Sequence, residues 1–380
     1  MYSVTNYGRM IGDNIRTDAY QKALQQVVNN DSVVVDLGAG LGILSFLACR
    51  AGARKVYAIE PDDVITVAKE MAHQNGLADR IVFIQSLSQA VELPEKADVI
   101  VSDLHGVLPF CQHLVGVTSD ARKRFLAPKG SMIPRRDIVW SSLVDAEEVY
   151  NGQVAPWKNA YGFDVSAGKR ILTNSWQRVL MTPDQFVVPP QHCVTLDYHS
   201  IENPHFAFEL NWDISTPGTS HGIATWFDCE LAENVSFSSA PGLPKTVYGQ
   251  GFFPFTEPIR LESRDTVSIK MEARLVNADY IFLWETTVAT PGTTKPKYYF
   301  KQSTFEAKPL SLTKLHKRSE VYVPTLNDDG EVEKYVLESI DGKTSLKEIS
   351  DKLISKFPDR FADEQSALNT TADVSLKFSR

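Results

Sequence analysis

The feature that most constrains the fold is a β-branched run followed at once by closely spaced glycines. Residues 32–36 have the sequence Ser-Val-Val-Val-Asp, which is typical of a buried parallel strand. Gly38, Gly40 and Gly42 follow at alternate positions, and the apolar residues beyond them predict a helix. A strand, a tight glycine turn and a helix make the first half of a βαβ unit, whose turn lets the backbone approach a ligand closely.

Further strand-like runs alternate with helix-like segments along the first third of the chain. They end at Glu60, Ile84 and Ser102, and this spacing predicts a doubly wound, Rossmann-like α/β domain over residues 1–134. Ligands of such sheets bind beyond the carboxyl ends of the strands. Glu60 lies twenty residues after Gly40 at a strand end, where it can accept hydrogen bonds from two ribose hydroxyls. This context favours a nucleoside cofactor over a purely structural turn.

The remaining residues divide into three segments that differ in residue composition and in predicted secondary structure. Strand-like runs separated by proline and glycine predict an antiparallel β-barrel domain over residues 135–305. Residues 306–320 form a lysine-rich linker. Residues 321–380 predict a small α+β, winged-helix-like module, with a hairpin around residues 327–330 and helices after it.

Composition and residue spacing exclude several classes of function. The net charge of −8 argues against broad binding of nucleic acid or anionic membranes, and no apolar run approaches the ~20 residues that span a bilayer. The four cysteines are far apart, which favours free thiols in the cytoplasm. The histidines show no metal-binding spacing. We therefore expect a cytoplasmic protein with no metal site.

Several motifs together resemble the protein arginine methyltransferase family over about residues 7–305. The resemblance rests on the glycine run from Val33 to Ser45 with Glu60, on the helix around Arg16, and on landmarks at residues 91–94, 125–130 and 161–164. It implies a methyltransferase that uses S-adenosylmethionine. It also implies a homodimer formed through an arm at about residues 145–180.

The same resemblance implies a set of cofactor-binding residues. Arg16 would hold the methionine carboxylate, because a planar bidentate donor suits that group. Gly38 and Gly40 would pass beneath the amino acid part, and Glu60 would bind the ribose. The remaining members of the set are Tyr7, Asp36 before the glycines, and Ser88 and Gln89 beside the adenine. The family typically has glutamate at the position of Gln89.

The loop at residues 102–113, called here the acceptor loop, departs from the family pattern. The family carries two glutamates there that grip a guanidinium, and this chain has Asp103 and the neutral Gln112. His105 is a candidate general base. The catalytic candidates are therefore Asp103, His105 and Gln112, acting on a nitrogen or oxygen of a peptide or natural-product intermediate.

Two alternatives to this function remain open. The acceptor could still be arginine, with Glu147 or Glu148 supplying the missing charge. The chain could instead be a catalytically silent, cofactor-binding scaffold that holds a peptide.

The C-terminal module resembles the small peptide-binding domain of the pyrroloquinoline quinone pathway. The resemblance rests on residues 321–324 and 335–349. It implies capture of a leader peptide by strand addition, and a contribution to natural-product biosynthesis. The alternative is a helical appendage that packs on the barrel or aids dimerisation.

Overall fold

The fold is described from a computed structural model, which covers residues 3–111, 114–157 and 160–379. The chain divides into two compact units, Met1–Pro309 and Leu310–Arg380. No helix in the described part of the chain is long and apolar enough to cross a membrane.

A five-stranded parallel sheet forms the first half of the larger unit. Its strands are β1 (Val33–Leu37), β2 (Lys55–Ile59), β3 (Ile81–Ile84), β4 (Ala97–Ser102) and β5 (Leu126–Ile133), in the order β3-β2-β1-β4-β5. All four neighbouring pairs are parallel. The predicted Rossmann-like sheet is thereby confirmed, because a β-branched strand such as β1, buried along its whole length, suits the centre of such a sheet.

Five helices accompany this sheet, and two of them shape the site. They are α1 (Val4–Ile11), α2 (Asn14–Val27), α3 (Ile43–Arg50), α4 (Ile65–Gln74) and α5 (Leu114–Phe125). Asp13 caps α2 by accepting a hydrogen bond from the amide of Arg16, which fixes where that helix begins. Helix α3 begins directly after Gly42, so its N-terminus faces the glycine turn.

Two antiparallel sheets and a helical arm form the second half. The first sheet contains β6 (Arg136–Val144), β7 (Gln177–Val179), β8 (Gln191–Asp197), β10 (Gly218–Ala232), β11 (Val235–Ser238) and β12 (Gln250–Leu261). The second contains β9 (Phe206–Asp213), β13 (Thr266–Val276), β14 (Asp279–Ala289) and β15 (Tyr298–Ser303). The helices α6 (Glu147–Val154) and α7 (Ser166–Thr173) lie within the predicted arm.

The antiparallel strands predicted for a β-barrel are confirmed, and the pairing of the described residues arranges them in these two sheets. Where β15 meets β12, the side-chain amide of Gln302 donates to the carbonyl oxygen of Pro254 at 2.9 Å. Prolines in β12 have no N–H to donate, which works against a continuous backbone ladder at this seam. Aromatic packing joins the sheets instead, as between Phe253 and Phe282, whose ring centroids are 5.3 Å apart.

One hydrophobic core runs through both halves of the larger unit. Phe110 of the acceptor loop packs on Phe206 and Phe282 of the second antiparallel sheet, with ring centroids 5.1 and 6.1 Å apart. Tyr20 of α2 packs against Phe237 of β11 at 6.3 Å. The sequence-based domain boundaries at residues 134 and 305 remain predictions. The acceptor loop is held between the parallel half and the antiparallel half of the larger unit.

The regular structure of the smaller unit consists of helices, as far as its described residues 310–379 show. Its helices are α8 (Leu312–His316), α9 (Asp328–Ser339), α10 (Leu346–Lys356) and α11 (Glu364–Phe378). The predicted hairpin at residues 327–330 is wrong, because Asn327 caps α9 by accepting from the amide of Gly330 at 2.9 Å. Asp328 and Asp329 then lie in the first helical turn, where carboxylates are favourable. The expected strands of a winged helix are likewise not found in these residues.

The packing of β10 against β12 gives a test of the fold. A Cβ on Gly222 would overlap the carbonyl oxygen of Phe253 and crowd the ring of Phe252. We expect Gly222→Ala to lower the free energy of unfolding by roughly 2–4 kcal/mol through overpacking. Gly116→Ala is the control, because open space surrounds Gly116 in α5 and alanine favours helix by about 1 kcal/mol. Urea denaturation of both variants measures the difference, and equal stabilities would contradict this packing.

Candidate active site

The glycine turn between β1 and α3 is covered by two side chains. Gly38 and Gly40 have φ angles of 69° and 53°, in the left-handed region that favours glycine. A Cβ on Gly38 would overlap the side chain of Leu104, and one on Gly40 would lie 2.8 Å from Cε1 of Tyr7. The structure therefore places Tyr7 of α1 and Leu104 of the acceptor loop over the predicted cofactor turn.

Glu60 is fixed beside this turn. Its Oε2 accepts a hydrogen bond from the amide of Gly40 at 2.9 Å, and its Oε1 accepts from the amide of Asp62 at 2.9 Å. The carboxylate is buried at the carboxyl end of β2. Each oxygen can accept more than one hydrogen bond, so this arrangement fits a group that presents two hydroxyls.

Asp36, at the carboxyl side of β1, has one oxygen without a hydrogen-bond partner in the described structure. Its Oδ2 accepts from the hydroxyl of Ser45 at 2.7 Å, whereas its fully buried Oδ1 accepts from no described group. Burial raises the pKa of Asp36 to about 7. A buried acceptor without a donor is costly on its own, and the ammonium of an amino acid would satisfy it. This acceptor thus fits the ammonium group in the amino acid part of S-adenosylmethionine.

Ser88 and Gln89 follow β3, at the same edge of the sheet. The side chain of Ser88 is buried and that of Gln89 is exposed. The carbonyl oxygen of Ser88 accepts a hydrogen bond from Arg124 of α5 at 2.5 Å, which anchors this turn. Both residues lie beyond the carboxyl end of a strand, where ligands of such sheets bind, and their place beside an adenine stays a prediction.

Arg16 and Asp103 form a buried ion pair between α2 and the acceptor loop. Nε of Arg16 donates to Oδ2 of Asp103, and its Nη1 donates to the carbonyl oxygen of Met10 at 3.1 Å. Oδ1 of Asp103 accepts from the hydroxyl of Tyr248 at 2.7 Å and lies 3.0 Å from Nδ1 of His105. Burial alone would raise the pKa of Asp103, but Arg16, His105 and Tyr248 together hold it well below its usual range.

His105 lies between two carboxylates. Its Nδ1 faces Asp103, and its Nε2 faces Oδ2 of Asp137 in β6 at 2.7 Å. The ring stacks on Phe227 with centroids 5.2 Å apart. Burial lowers the pKa of His105, but the two carboxylates outweigh it and raise the pKa to about 10. At neutral pH the imidazole is therefore a cation that donates from both nitrogens.

Two of the three catalytic residues predicted from the sequence lie next to each other in the structure. Asp103 and His105 are in contact, whereas Gln112 lies outside the described residues. Glu147 and Glu148 are exposed in the first turn of α6. Their catalytic and compensating roles stay predictions.

The sequence analysis missed four side chains that surround the candidate site, those of Asp13, Asp137, Tyr198 and Tyr248. The hydroxyl of Tyr198 donates to Oδ2 of Asp137, and the amide of Val247 donates to Oδ2 of Asp13 at 2.7 Å. Tyr248 contacts Asp103 directly. The sequence pattern could have identified one of them, Asp137. This residue alternates with the apolar Val139 and Leu143 on the inward face of β6, where a carboxylate is unusual.

His105, Asp137 and Cys229 also lie close enough together to be considered as metal ligands, with one atom of each within 4.8 Å of the others. Two ligands of one tetrahedral zinc ion would be separated by about 3.3 Å, given bonds of about 2 Å. Nε2 of His105 and Oδ2 of Asp137 are 2.7 Å apart. A hydrogen bond accounts for this contact, and the expectation of no metal site stays a prediction.

The charge on His105 predicts a pH-dependent stability. The pKa is about 10 in the fold and about 6.5 in an unfolded chain. The stabilisation is therefore fully present below pH 6.5 and is lost as the pH rises to 10. Between pH 6.5 and 9.5 we expect wild-type protein to lose up to about 4 kcal/mol more than His105→Gln in denaturant titrations.

His221→Gln is the matched control for this experiment. It removes another buried imidazole, whose single carboxylate neighbour, Asp145, lies 3.0 Å away and is half exposed. This control should keep the wild-type slope. Parallel curves for wild-type protein and His105→Gln would show that His105 is not a buried cation.

Comparison with known protein families gives two matches, which cover different parts of this chain. A family model described as the arginine methyltransferase oligomerization subdomain matches residues 138–285. The model of ribosomal protein L11 methyltransferase matches residues 12–133. The two matches fall on the antiparallel half and on the parallel half of the larger unit.

Curated relatives extend over both halves. The probable protein arginine N-methyltransferase 6 of Arabidopsis thaliana is 31% identical over 255 residues, or 64% of this chain and 58% of that protein. Protein arginine N-methyltransferase 1 of Schizosaccharomyces pombe is 31% identical over 255 residues, or 64% of this chain and 74% of that protein. The chain thus spans less than two thirds of the plant relative's length.

Solved structures share the fold. One is a chain of the Trypanosoma brucei protein arginine methyltransferase 1 enzyme-prozyme heterotetrameric complex with AdoHcy, with a TM-score of 0.71 and 24% identity. The match covers 78% of this chain and 97% of that one. Protein arginine methyltransferase 10 of Arabidopsis thaliana matches with a TM-score of 0.70 and 22% identity, over 79% of this chain and 97% of its own.

The sequence matches and the shared fold agree with the parallel sheet and its glycine turn in the first half and with the antiparallel sheets in the second. They confirm the prediction of a methyltransferase of the class that uses S-adenosylmethionine. This chain belongs to the protein arginine methyltransferase family.

Proposed function

We propose that this protein transfers a methyl group from S-adenosylmethionine to an uncharged nitrogen or oxygen of a peptide or natural-product intermediate. The observation that carries the proposal is the charge state around Asp103. One oxygen faces the guanidinium of Arg16, and the other faces the imidazolium of His105. The carboxylate is therefore neutralised by the protein's own cations before any acceptor arrives.

The residues around the glycine turn would hold the cofactor, which supplies a methyl group on an electrophilic sulfonium. Arg16 would bind its carboxylate and Asp36 its ammonium group, as their charges require. Glu60 would accept from the ribose hydroxyls, with Ser88 and Gln89 beside the adenine. Tyr7 would close over the turn at Gly40. Methyl transfer then depends chiefly on holding the acceptor atom in line with the methyl group.

Asp103 would orient the acceptor rather than remove its proton. A carboxylate offers about four lone-pair positions, and Arg16, His105 and Tyr248 occupy three of them. One position remains for an N–H or O–H of the acceptor. The depressed pKa of Asp103 makes it a weak base. His105 is protonated at neutral pH, so its proposed role is to position Asp103.

Arginine is the second candidate acceptor, because the sequence relatives are named protein arginine N-methyltransferases. A guanidinium would approach a carboxylate that already faces two cations. Repulsion by these two cations offsets the attraction of the carboxylate for a guanidinium. The site therefore lacks the net negative charge that would favour arginine over an uncharged acceptor.

Assembly and location form part of the same proposal. A homodimer through the arm is supported by the match to the oligomerization subdomain. The arm also exposes Tyr161 and Phe163, whose apolar surface a partner would cover. A cytoplasmic location is supported by four free cysteines, two of them buried.

The proposed peptide-binding role of residues 321–380 needs a surface other than a strand edge. The regular structure in the described residues of that unit is helical, and the segment without helix or strand before α9 exposes Val321 and Val323. These side chains are the ones that a leader peptide would contact first. The role of this unit stays a proposal.

Cofactor binding is tested by calorimetric titration with S-adenosylmethionine. Arg16→Ala removes the carboxylate's partner, and Glu60→Gln replaces an oxygen that accepts a backbone N–H by a donor. We expect each change to weaken binding by roughly 10–100-fold, or about 1.5–3 kcal/mol. Glu95→Gln is the control, because Glu95 pairs with Arg54 at the surface, away from the glycine turn. Unchanged affinity in both test variants would place the cofactor elsewhere.

The acceptor class is tested with peptide pools that differ only in their central residue: arginine, lysine, histidine, asparagine or serine. With methyl-labelled S-adenosylmethionine, we expect a pool with an uncharged central residue to be labelled at least about tenfold faster than the arginine pool. Faster labelling of arginine would support the second candidate. Cofactor binding without label in any peptide or small-molecule pool would support the silent scaffold.

A further inference from the structure

Asp137 is a fully buried carboxylate on the inner face of β6, outside the set of residues expected to touch cofactor or acceptor. Its Oδ2 accepts two hydrogen bonds, from Nε2 of His105 at 2.7 Å and from the hydroxyl of Tyr198 at 2.5 Å. Its strand pairs with β8 on one side and β10 on the other. The carboxylate is thus held by a rigid part of the antiparallel half.

Asp137 begins a chain of four buried groups with alternating charge. It faces His105, which lies 3.0 Å from Oδ1 of Asp103, whose Oδ2 accepts from Nε of Arg16. Every link is a hydrogen bond between oppositely charged groups, and such bonds are stronger and more directional than neutral ones. The order of charges along the chain is negative, positive, negative, positive.

The middle of this chain lies on irregular backbone. Residues 103–106 have neither helix nor strand structure, so the orientations of Asp103 and His105 depend on side-chain contacts. The ring of His105 is stacked on Phe227, but only Asp137 engages its Nε2 among the described residues. The loop therefore takes its orientation from the strand.

We propose that Asp137 is a positioning residue, which fixes His105 as the counter-ion of Asp103 and thereby sets the orientation of Arg16 for the carboxylate of the cofactor. This inference rests on the proposed cofactor site. It assigns to the antiparallel half a direct part in cofactor affinity. Asp137 acts through three other side chains and does not touch the reacting atoms.

Other polar groups surround the imidazole and must be kept constant in a test. Those that face it or its partners are Tyr20, Asp103 and Arg16 from the first half, and Tyr198, Cys229 and Tyr248 from the second. Burial raises the pKa of Cys229 and of the three tyrosines well above their usual values, so these groups stay neutral up to pH 9. His105 is then the group in this cluster whose charge changes when Asp137 is altered.

Asp137→Asn keeps the shape of the side chain and removes its charge. The experiment uses the full chain with isotope-labelled histidine and follows the imidazole of His105 by NMR from pH 6 to 10, with His105→Gln identifying its signals. We expect the midpoint to fall by about two pH units in Asp137→Asn. The affinity for S-adenosylhomocysteine is measured in parallel between pH 6.5 and 9.

The wild-type affinity should follow the titrations of the ligand itself and of Asp36, whose pKa is about 7 and which is unchanged in the variants. In Asp137→Asn the dissociation constant should rise about tenfold more than in wild-type protein over that range, because His105 loses its charge. A change in packing alone would weaken binding equally at every pH. The dependence on pH therefore separates positioning from a general loss of structure.

Two further variants control for a general loss of structure. Tyr198→Phe removes the other donor to Asp137 without changing its charge, and should keep both the midpoint and the wild-type affinity profile. Asp265→Asn removes a different fully buried carboxylate, which accepts from Thr290 at 2.6 Å and Lys297 at 3.1 Å. It should alter neither measurement.

An unchanged midpoint in folded Asp137→Asn would overturn the proposal, and so would a shifted midpoint with a wild-type affinity profile. If wild-type protein failed to bind S-adenosylhomocysteine, the proposed cofactor site would be wrong. The proposed effect of Asp137 on Arg16 and on cofactor affinity would then also be wrong. The NMR titration would then still decide whether Asp137 controls the charge of His105.

Discussion

The buried carboxylate of Asp103 is the constraint on which the site depends. A charge removed from water is tolerated only when it is paired and hydrogen-bonded. Arg16 comes from α2, His105 from the acceptor loop itself, and Tyr248 from the segment before β12. Three separate parts of the chain must therefore meet at one point. Loss of any of these donors would leave the buried carboxylate without a hydrogen-bond partner or a counter-ion. These contacts therefore hold the acceptor loop in place, although the loop has no secondary structure of its own at Asp103.

This requirement also joins the two halves of the larger unit. Asp13 caps α2 with one oxygen and accepts from the amide of Val247 with the other. The helix that carries Arg16 is thereby bound to the segment that carries Tyr248. Apolar packing of Phe110 and Tyr20 against the antiparallel half supplies the bulk of the contact. Hydrophobic packing is not directional, whereas buried hydrogen bonds fix one relative orientation.

The sequence predicts best what depends on local periodicity and least what depends on distant pairing. The parallel sheet followed from β-branched runs at regular spacing, and the contact between Gly40 and Glu60 follows from their places at neighbouring strand ends. Asp137 was missed because its partner His105 is 32 residues away and on a loop. The hairpin at Asn327 failed for a different reason, since the same residue types favour turns and helix N-termini. Only the apolar face of α9, packed through Val332 and Val336, decides between them.

The balance of charge in the acceptor loop explains how one family architecture could serve a different acceptor. The resemblance implies two glutamates that face a cation supplied by the substrate. Here the second position is the neutral Gln112, and the cation between two carboxylates is the protein's own His105. The buried groups Arg16, Asp103, His105 and Asp137 are electrically neutral as a set. Such a pocket gives no net attraction to a cation, so recognition must come from shape and from the one hydrogen-bonding position left on Asp103. Methyl transfer from a sulfonium needs little more than that positioning, and a neutral pocket is therefore compatible with catalysis on a neutral acceptor.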